Sequence, residues 1–110
     1  MLLPNAQSAY IPDEKLYDYC LSESHPVGKH KALVFKEVLG ITIENAEVLQ
    51  KAIMQAILEK EAIFQKATKF GTLYIVDFEL VNEERSAIVR SAWIIPNDDS
   101  RPRMTSCYIL

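Results

Sequence analysis

Residues 73–95 read LYIVDFELVNEERSAIVRSAWII, and this stretch decides the fold class. Over residues 73–80, two rows of side chains alternate, and they are rich in the aromatic and β-branched types that favour strands. Residues 86–95 continue in the same way up to Pro96. The charged residues 81–85 between them are typical of a loop. The stretch therefore predicts two long antiparallel strands joined by a hairpin loop over residues 81–85.

Two further segments extend this predicted sheet. Residues 103–109 form a last strand after the turn-rich residues 97–102. Residues 61–66 are ambiguous because they either prolong a helix or begin a short strand, and we favour the strand. Phe70 and Gly71 then mark a turn. The prediction is an antiparallel sheet of three or four strands.

The chain before the sheet has the pattern of about three helices, preceded by an irregular arm. Apolar residues recur at helical spacing over residues 13–21, 29–39 and 43–59. Gly40 is typical of a left-handed C-terminal cap, and Thr42 is typical of an N-terminal cap. Helices followed by strands imply separate layers. We therefore predict a single α+β domain over residues 1–110, with the N-terminal helices packed on one face of a C-terminal antiparallel sheet.

Composition limits the functions that the chain can have. Hydrophobic residues make up 49% and charged residues 25%, and the formal net charge is −3, which argues against an extended basic surface for nucleic acid. Cys20 and Cys107 have no close partners at metal-ligand spacing, so we expect no metal site, no disulfide framework and no cofactor. No apolar run approaches the length of a signal peptide or membrane span, so we expect a cytoplasmic protein with no membrane association.

The start of the second predicted helix breaks a physical rule. Its first turn carries Lys29, His30 and Lys31, although the helix dipole disfavours cations there. One interpretation is that solvated lysines tolerate a poor location. The other is an anion or phosphate site built from these side chains and free backbone N–H groups. The predicted apolar line of this helix comprises Lys31, Val34, Phe35 and Val38, with Leu39 beside it.

Two charged residues of the predicted strands are candidate site residues. Arg90 interrupts the apolar row of Ile88, Ala92 and Ile94, either as an edge or paired residue or as the wall of an anion pocket. Asp77 either pairs with Arg90, orients a histidine, or lies on a solvated face, as the alternation itself predicts. The charge of Lys31 and Arg90 would suit the transition state of phosphoryl chemistry.

The remaining candidates are histidines, aromatic residues and hydroxyls. His25 and His30 are the only histidines, and in one cavity they would suit acid and base chemistry. Alternatively, His25 closes a turn and His30 lies on the surface. Tyr74 and Trp93 would stack on a nucleobase if exposed, although aromatic residues on strands are usually core. The last strand supplies hydroxyls from Thr105, Ser106 and Tyr108.

These residues also carry a resemblance to one family. The stretches concerned are Leu3-Pro4-Asn5-Ala6, Ile11-Pro12-x-x-Lys15-Leu16-x-x-Tyr19, His25-Pro26-Val27-Gly28-x-His30-Lys31-Ala32-x-x-Phe35, Leu39-Gly40, Phe70-Gly71-x-x-Tyr74-x-Val76-Asp77 and Val89-Arg90-x-x-Trp93-Ile94. They resemble a bacterial domain family of unknown function. That family occurs as small stand-alone proteins in cyanobacteria and at the C-terminal tip of long polymorphic toxins.

The resemblance implies a toxin-like effector, specifically a metal-independent RNase related to the barnase, EndoU, colicin and RelE group. By position, His25 would be the base or acid. Lys31 and Arg90 would hold the phosphate, and His30, Asp77 and Thr105 would support them. Its partners would then be RNA and a cognate antitoxin or immunity protein.

Two alternatives to an enzyme stay open. The first is a non-enzymatic module that binds a protein partner, or a second copy as a homodimer, by pairing its exposed hairpin or last strand. The second is a small anion- or nucleotide-binding protein that uses residues 29–31. The enzyme hypothesis requires a histidine within reach of Lys31 and Arg90 in one cleft.

Overall fold

The computed structural model describes all residues from Met1 to Leu110 and has an α+β fold, as predicted. Three helical segments precede a four-stranded antiparallel sheet, and a short 3₁₀ turn lies at Ala6–Ser8. The helices are α1 (Asp13–Lys15, continued by a π-helical turn at Leu16–Cys20), α2 (Lys29–Val34, continued by a π-helical turn at Phe35–Leu39) and α3 (Ala46–Glu59). None of them has the length and apolar character needed to cross a membrane.

The connection between α2 and α3 follows from its capping residues. Gly40 ends α2 with a φ of 68°, in the left-handed region where glycine has no steric penalty. Thr42 then accepts a hydrogen bond from the N–H of Glu44, and the side chain of Asn45 accepts one from the N–H of Thr42. This reciprocal capping box opens the 3₁₀ turn Ile43–Asn45 that leads into α3. Both predicted caps are confirmed.

The sheet is a simple meander in the order β1-β2-β3-β4. Its strands are β1 (Ala62–Ala67), β2 (Gly71–Asn82), β3 (Arg85–Pro96) and β4 (Arg103–Ile109). The ambiguous residues 61–66 therefore belong mainly to a strand, as favoured. The predicted hairpin loop over 81–85 was too long: Asn82 pairs with Arg85, and Glu83, with a φ of 57°, forms a tight turn with Glu84 alone.

The helices pack on one face of the sheet. On β3, Val89, Ser91 and Trp93 face the helices and are fully buried, whereas Arg90 and Ala92 point to the other side because side chains alternate along a strand. We call that other side the open face. It comprises Leu73, Ile75, Asp77 and Glu79 of β2, Ile88, Arg90, Ala92 and Ile94 of β3, and Ser106 and Tyr108 of β4.

The buried side of α2 differs from the prediction. Ala32, Phe35 and Leu39 enter the core, whereas Val34 and Val38 are exposed. The predicted apolar line was right for Phe35 and Leu39 and wrong for Val34 and Val38. Consecutive residues in a helix lie about 100° apart, so the direction set by Phe35 turns its neighbour Val34 to the flank.

The two edges of the sheet also differ. The outer edge of β4 is covered, since the N–H of Met104 donates to the carbonyl of Tyr10 and the N–H of Cys107 donates to the Sγ atom of Cys20. The last strand therefore already has two backbone N–H groups of its outer edge bonded within the chain. In contrast, β1 pairs only with β2.

Candidate functional site

The loop before α2 is closed by His25. The Nδ1 atom of His25 accepts hydrogen bonds from the backbone N–H groups of Val27, at 3.0 Å, and Gly28, at 2.9 Å. In neutral imidazole one ring nitrogen accepts and the other carries the hydrogen, so the hydrogen of His25 lies on Nε2. The carbonyl of His25 also accepts from the N–H of Lys29 at 3.0 Å. The predicted anion site at this helix start required free backbone N–H groups. The N–H groups of Val27 and Gly28 are not free, because they donate to His25.

Gly28 brings this loop against the end of α1. A Cβ atom at Gly28 would overlap the carbonyl oxygen of Tyr19, so no other residue fits without a shift of the backbone. The His25 ring lies edge-on to the Tyr19 ring, with 4.9 Å between ring centroids and an interplanar angle of 85°. The His-Pro-x-Gly motif therefore fixes the start of α2 on Tyr19.

This packing places Lys31 between two tyrosines. Its Nζ atom is 3.4 Å from the hydroxyl of Tyr19, and it lies 5.4 Å from the ring centroid of Tyr19 and 4.7 Å from that of Tyr108. Both distances suit cation–π attraction. None of the four ion pairs in the structure includes Lys31. Lys31 is therefore a half-buried ammonium group with no carboxylate partner.

Three polar residues lie side by side across the open face. Asp77 on β2 is directly opposite Arg90 on β3, and Arg90 is directly opposite Tyr108 on β4. We call these residues the cross-strand row. Asp77 and Arg90 form a bidentate pair, with Nε–Oδ1 and Nη2–Oδ2 distances of 2.9 Å each. Their side chains are 27% and 31% exposed, so the pair remains within reach of a ligand.

The electrostatics of the row keep Arg90 charged. The hydrogen bond with Asp77 raises the pKa of Arg90 above its already high ordinary value, and the neighbouring Tyr108 hydroxyl raises it further. Because Lys31 lies over the ring of Tyr108, two cations, Lys31 and Arg90, lie next to one phenol. Lys31 and Arg90, both proposed from sequence as phosphate-binding residues, are thus linked through Tyr108.

Other candidates lie elsewhere. Lys29 and His30 are exposed and line a separate shallow depression of about 200 Å³ with Glu23 and Leu33, so the three basic residues at the start of α2 do not converge. Trp93 is fully buried and donates its indole N–H to the Oγ atom of Ser91 at 2.9 Å. Its ring is therefore not accessible for stacking on a base in this structure.

Two more candidates lie on the sheet near the row. Tyr74 packs edge-on against Phe64, with ring centroids 6.1 Å apart. Thr105 lies in β4 where the pairing with β3 shifts register. Neither residue forms a hydrogen bond or an ion pair with Lys31 or Arg90.

A comparison with models of protein families matches residues 2–110 to the family described as "Domain of unknown function (DUF6883)". The chain belongs to this family. The match leaves out only Met1, so the loop, the helices and the whole sheet are parts of the DUF6883 domain. Comparisons with curated proteins and with solved structures gave no match.

The sequence of this DUF6883 domain did not single out Tyr19 and Tyr108, the two tyrosines that contact Lys31. Tyr108 stood out only as one of several hydroxyls on the last strand, because its proximity to Arg90 depends on the β3–β4 register. Tyr19 had one usable signal: it belongs to the family-like stretch that begins at Ile11. Its role became clear only from its contacts with Gly28 and Lys31.

The two cysteines of the DUF6883 domain are free and buried. Hydrogen bonding to Cys20 and burial away from water raise the pKa of the Cys107 thiol well above its usual value. The Cys107 thiol is therefore protonated and packs as part of the core. The side chains of the domain form no group of three or more histidine, cysteine, aspartate or glutamate residues arranged to hold a metal ion.

Proposed function

We propose that the DUF6883 domain is an RNase-like toxin that cleaves RNA without a metal, at the cross-strand row and Lys31. One observation carries the proposal. Asp77, Arg90 and Tyr108 lie in register on the open face, and the unpaired ammonium group of Lys31 lies 4.7 Å from the Tyr108 ring centroid.

The chemistry needs a base, cations and an acid. In our proposal Lys31 and Arg90 hold the scissile phosphate and stabilise its growing negative charge. The ribose 2′-OH attacks phosphorus and passes its proton to Asp77, whose carboxylate has about four acceptor sites, of which Arg90 uses two. The bond from phosphorus to the 5′ oxygen breaks, and the Tyr108 hydroxyl protonates that oxygen. The products are a 2′,3′-cyclic phosphate and a free 5′-OH.

His25 contributes to this proposal chiefly by positioning. Its Nδ1 atom is occupied by two backbone donors, which leaves only Nε2–H to act on a ligand. Through its edge-on contact with Tyr19 it holds the residue that in turn contacts Lys31. This differs from the role of base or acid that the resemblance implied. The proposed mechanism therefore does not use the histidine expected beside Lys31 and Arg90, and assigns its acid and base roles to Tyr108 and Asp77.

The architecture supports the same class of protein. In the barnase, EndoU, colicin and RelE group, helices also precede or flank an antiparallel sheet, and this domain has three helices before a four-stranded meander. A toxin of this kind would act on RNA in the cytoplasm and would be neutralised by a cognate antitoxin or immunity protein. Free cysteines accord with a reducing compartment.

The first test is RNA cleavage in EDTA. Purified protein is incubated with tRNA and total RNA beside Lys31→Ala and its matched control Lys29→Ala, which removes the same charge from the same helix but away from the tyrosines. We expect the parent and Lys29→Ala to cut RNA and Lys31→Ala to lose at least tenfold in rate. Intact RNA with the parent, or equal cutting by all three proteins, would contradict the proposal.

The free edge of β1 supports a second candidate function, partner binding by strand pairing. Beyond Ala62, whose N–H donates to the carbonyl of Met1, no backbone group of residues 63–67 bonds to backbone outside the β1–β2 pair. The carbonyl of Phe64 accepts one side-chain hydrogen bond, from Gln65 at 3.4 Å. Ile63 and Phe64 are 48% and 55% exposed. An unprotected edge of this kind can accept another strand.

A homodimer is the simplest form of this second candidate. We expect sedimentation of the parent to show dimers, and Ile63→Lys to shift the equilibrium to monomers because a charge on the edge opposes pairing. A parent that stays monomeric at all concentrations would remove the homodimer and leave only a different protein as the partner.

A further inference from the structure

A depression of about 380 Å³ lies on the open face beside the cross-strand row. Its floor includes Ile75 and Ala92, which are cross-strand partners. Each lies two residues from a charged member of the row, Ile75 from Asp77 and Ala92 from Arg90. Two residues along a strand span roughly 7 Å. The depression therefore begins one side chain away from the charged groups.

Both edge strands are irregular where they border this depression. The β1–β2 register shifts between Phe64 and Lys66, and the β3–β4 register shifts opposite Ala92 and Trp93. Such bulges redirect side chains and are frequent next to binding sites. Here the extra residues are Gln65 and Thr105, both of which line the depression. An apolar floor is thus bordered by an amide on one side and a hydroxyl on the other.

We propose that this depression binds a nucleobase of the RNA substrate, with the adjoining phosphate at Arg90 and Lys31. The inference rests on the proposed function and deepens it by assigning the base subsite. A flat ring fits an apolar floor with hydrogen-bonding groups at its rim, and Gln65 and Thr105 can each bond to the edge of a base. The positive charges of Arg90, Lys31 and Lys66 select a ligand that carries negative charge next to that ring.

Binding measured without turnover tests this assignment. Nucleoside 3′-monophosphates, ribose 5-phosphate and inorganic phosphate are titrated separately into ¹⁵N-labelled protein. We expect nucleotides to shift the amide signals of Leu73, Ile75, Ala92 and Thr105, and the two ligands without a base to shift only signals near Arg90 and Tyr108. Nucleotide shifts in the depression without RNA cleavage would keep the base subsite and reject the RNase.

Two matched variants locate the base. Ala92→Trp fills the depression, whereas Ile88→Trp adds an indole to the same strand and face on the other side of Arg90. We expect Ala92→Trp to weaken nucleotide binding at least tenfold and leave phosphate binding unchanged, and Ile88→Trp to change neither. Should Ala92→Trp fail to fold, Thr105→Val keeps the shape and should alter the preference among the four bases severalfold.

Three results would overturn the inference. One is equal binding of nucleotides and inorganic phosphate by the parent. The second is an absence of any nucleotide binding. The third is tighter binding of an uncharged apolar probe such as indole than of any nucleotide, which would identify a docking site for a protein side chain.

Discussion

The two faces of β3 use polar side chains in opposite ways. On the covered face, the Ser91 hydroxyl donates to the carbonyl of Val76 at 2.9 Å and accepts from the indole of Trp93 at 2.9 Å, so each polar group is satisfied inside the core. On the open face, Arg90 and Asp77 remain partly exposed, and Lys31 nearby has no counter-ion. Alternate residues of one strand therefore serve stability on one side and, in our proposal, ligand chemistry on the other.

The largest predicted loss of stability comes from a substitution on the covered face. Trp93→Ala removes a fully buried aromatic side chain, which should lower the free energy of unfolding by about 3–5 kcal/mol. Urea denaturation followed by circular dichroism measures this. A loss below about 1 kcal/mol would mean that Trp93 does not anchor the core between the sheet and the helices.

The next effect concerns the loop that positions Lys31. Gly28→Ala forces a methyl group against the carbonyl of Tyr19, and we expect a loss of about 1–3 kcal/mol, as for other overpacked sites. The signals of Tyr19 and His25 should shift in the NMR spectrum, and RNA cleavage should fall because Lys31 moves. Unchanged stability and spectra would show that the loop is not held by this close approach.

An effect of similar size distinguishes a buried hydroxyl that is hydrogen-bonded from one that is not. Ser91→Ala leaves the buried indole N–H of Trp93 without its acceptor and should cost about 1–3 kcal/mol. Ser106→Ala is the matched control, since the Oγ atom of Ser106 is buried and has no hydrogen-bond partner. Its removal should leave the free energy of unfolding unchanged or raise it. Equal losses in both variants would contradict the account of the covered face.

The smallest effect on stability falls on the open face. Asp77→Asn keeps the shape of the side chain and removes its charge, and partly exposed ion pairs contribute little to folding. We expect the urea midpoint to stay close to that of the parent while RNA cleavage falls at least tenfold. If Asp77→Asn unfolds as readily as Trp93→Ala, the Asp77–Arg90 pair serves stability, and the two faces of the sheet do not differ in function.

Much of the fold follows from local sequence signals. The helix limits depend on Gly40 and Thr42, and the strands depend on alternation that begins and ends at turn residues. These are local effects, and the structure confirms them. The β1 segment was harder because six residues containing Ala62-Ile63-Phe64 suit either a helix or a strand until the neighbouring strand is known.

The site depends on register, which the sequence alone left undetermined. A loop over 81–85 would have placed Asp77 opposite Val89, whereas the tight turn at Glu83 and Glu84 places it opposite Arg90. A shift of one residue exchanges the faces of a strand. The pairing of Asp77 with Arg90 was therefore one of several possibilities from sequence, and the position of Tyr108 beside them was not predictable.

Adjacent cations in the sequence do not form one cluster in the structure. Lys29, His30 and Lys31 are consecutive, yet they point in different directions because each residue turns the helix by about 100°. Of the three, only Lys31 contacts the tyrosines Tyr19 and Tyr108, and Arg90, the other cation next to Tyr108, comes from β3. Composition does not predict this arrangement either, since a net charge of −3 gives no sign of a local pair of cations.

The most direct test of the central claim is to identify the ends of the RNA products. A 5′-labelled RNA of defined sequence is incubated in EDTA with the parent, Tyr108→Phe and Arg90→Met, and the 3′ ends are identified by mass spectrometry. We predict 2′,3′-cyclic phosphate ends with the parent and at least tenfold slower cleavage with both variants. An intact substrate, or full activity in Tyr108→Phe and Arg90→Met, would show that the open face is not a ribonuclease site.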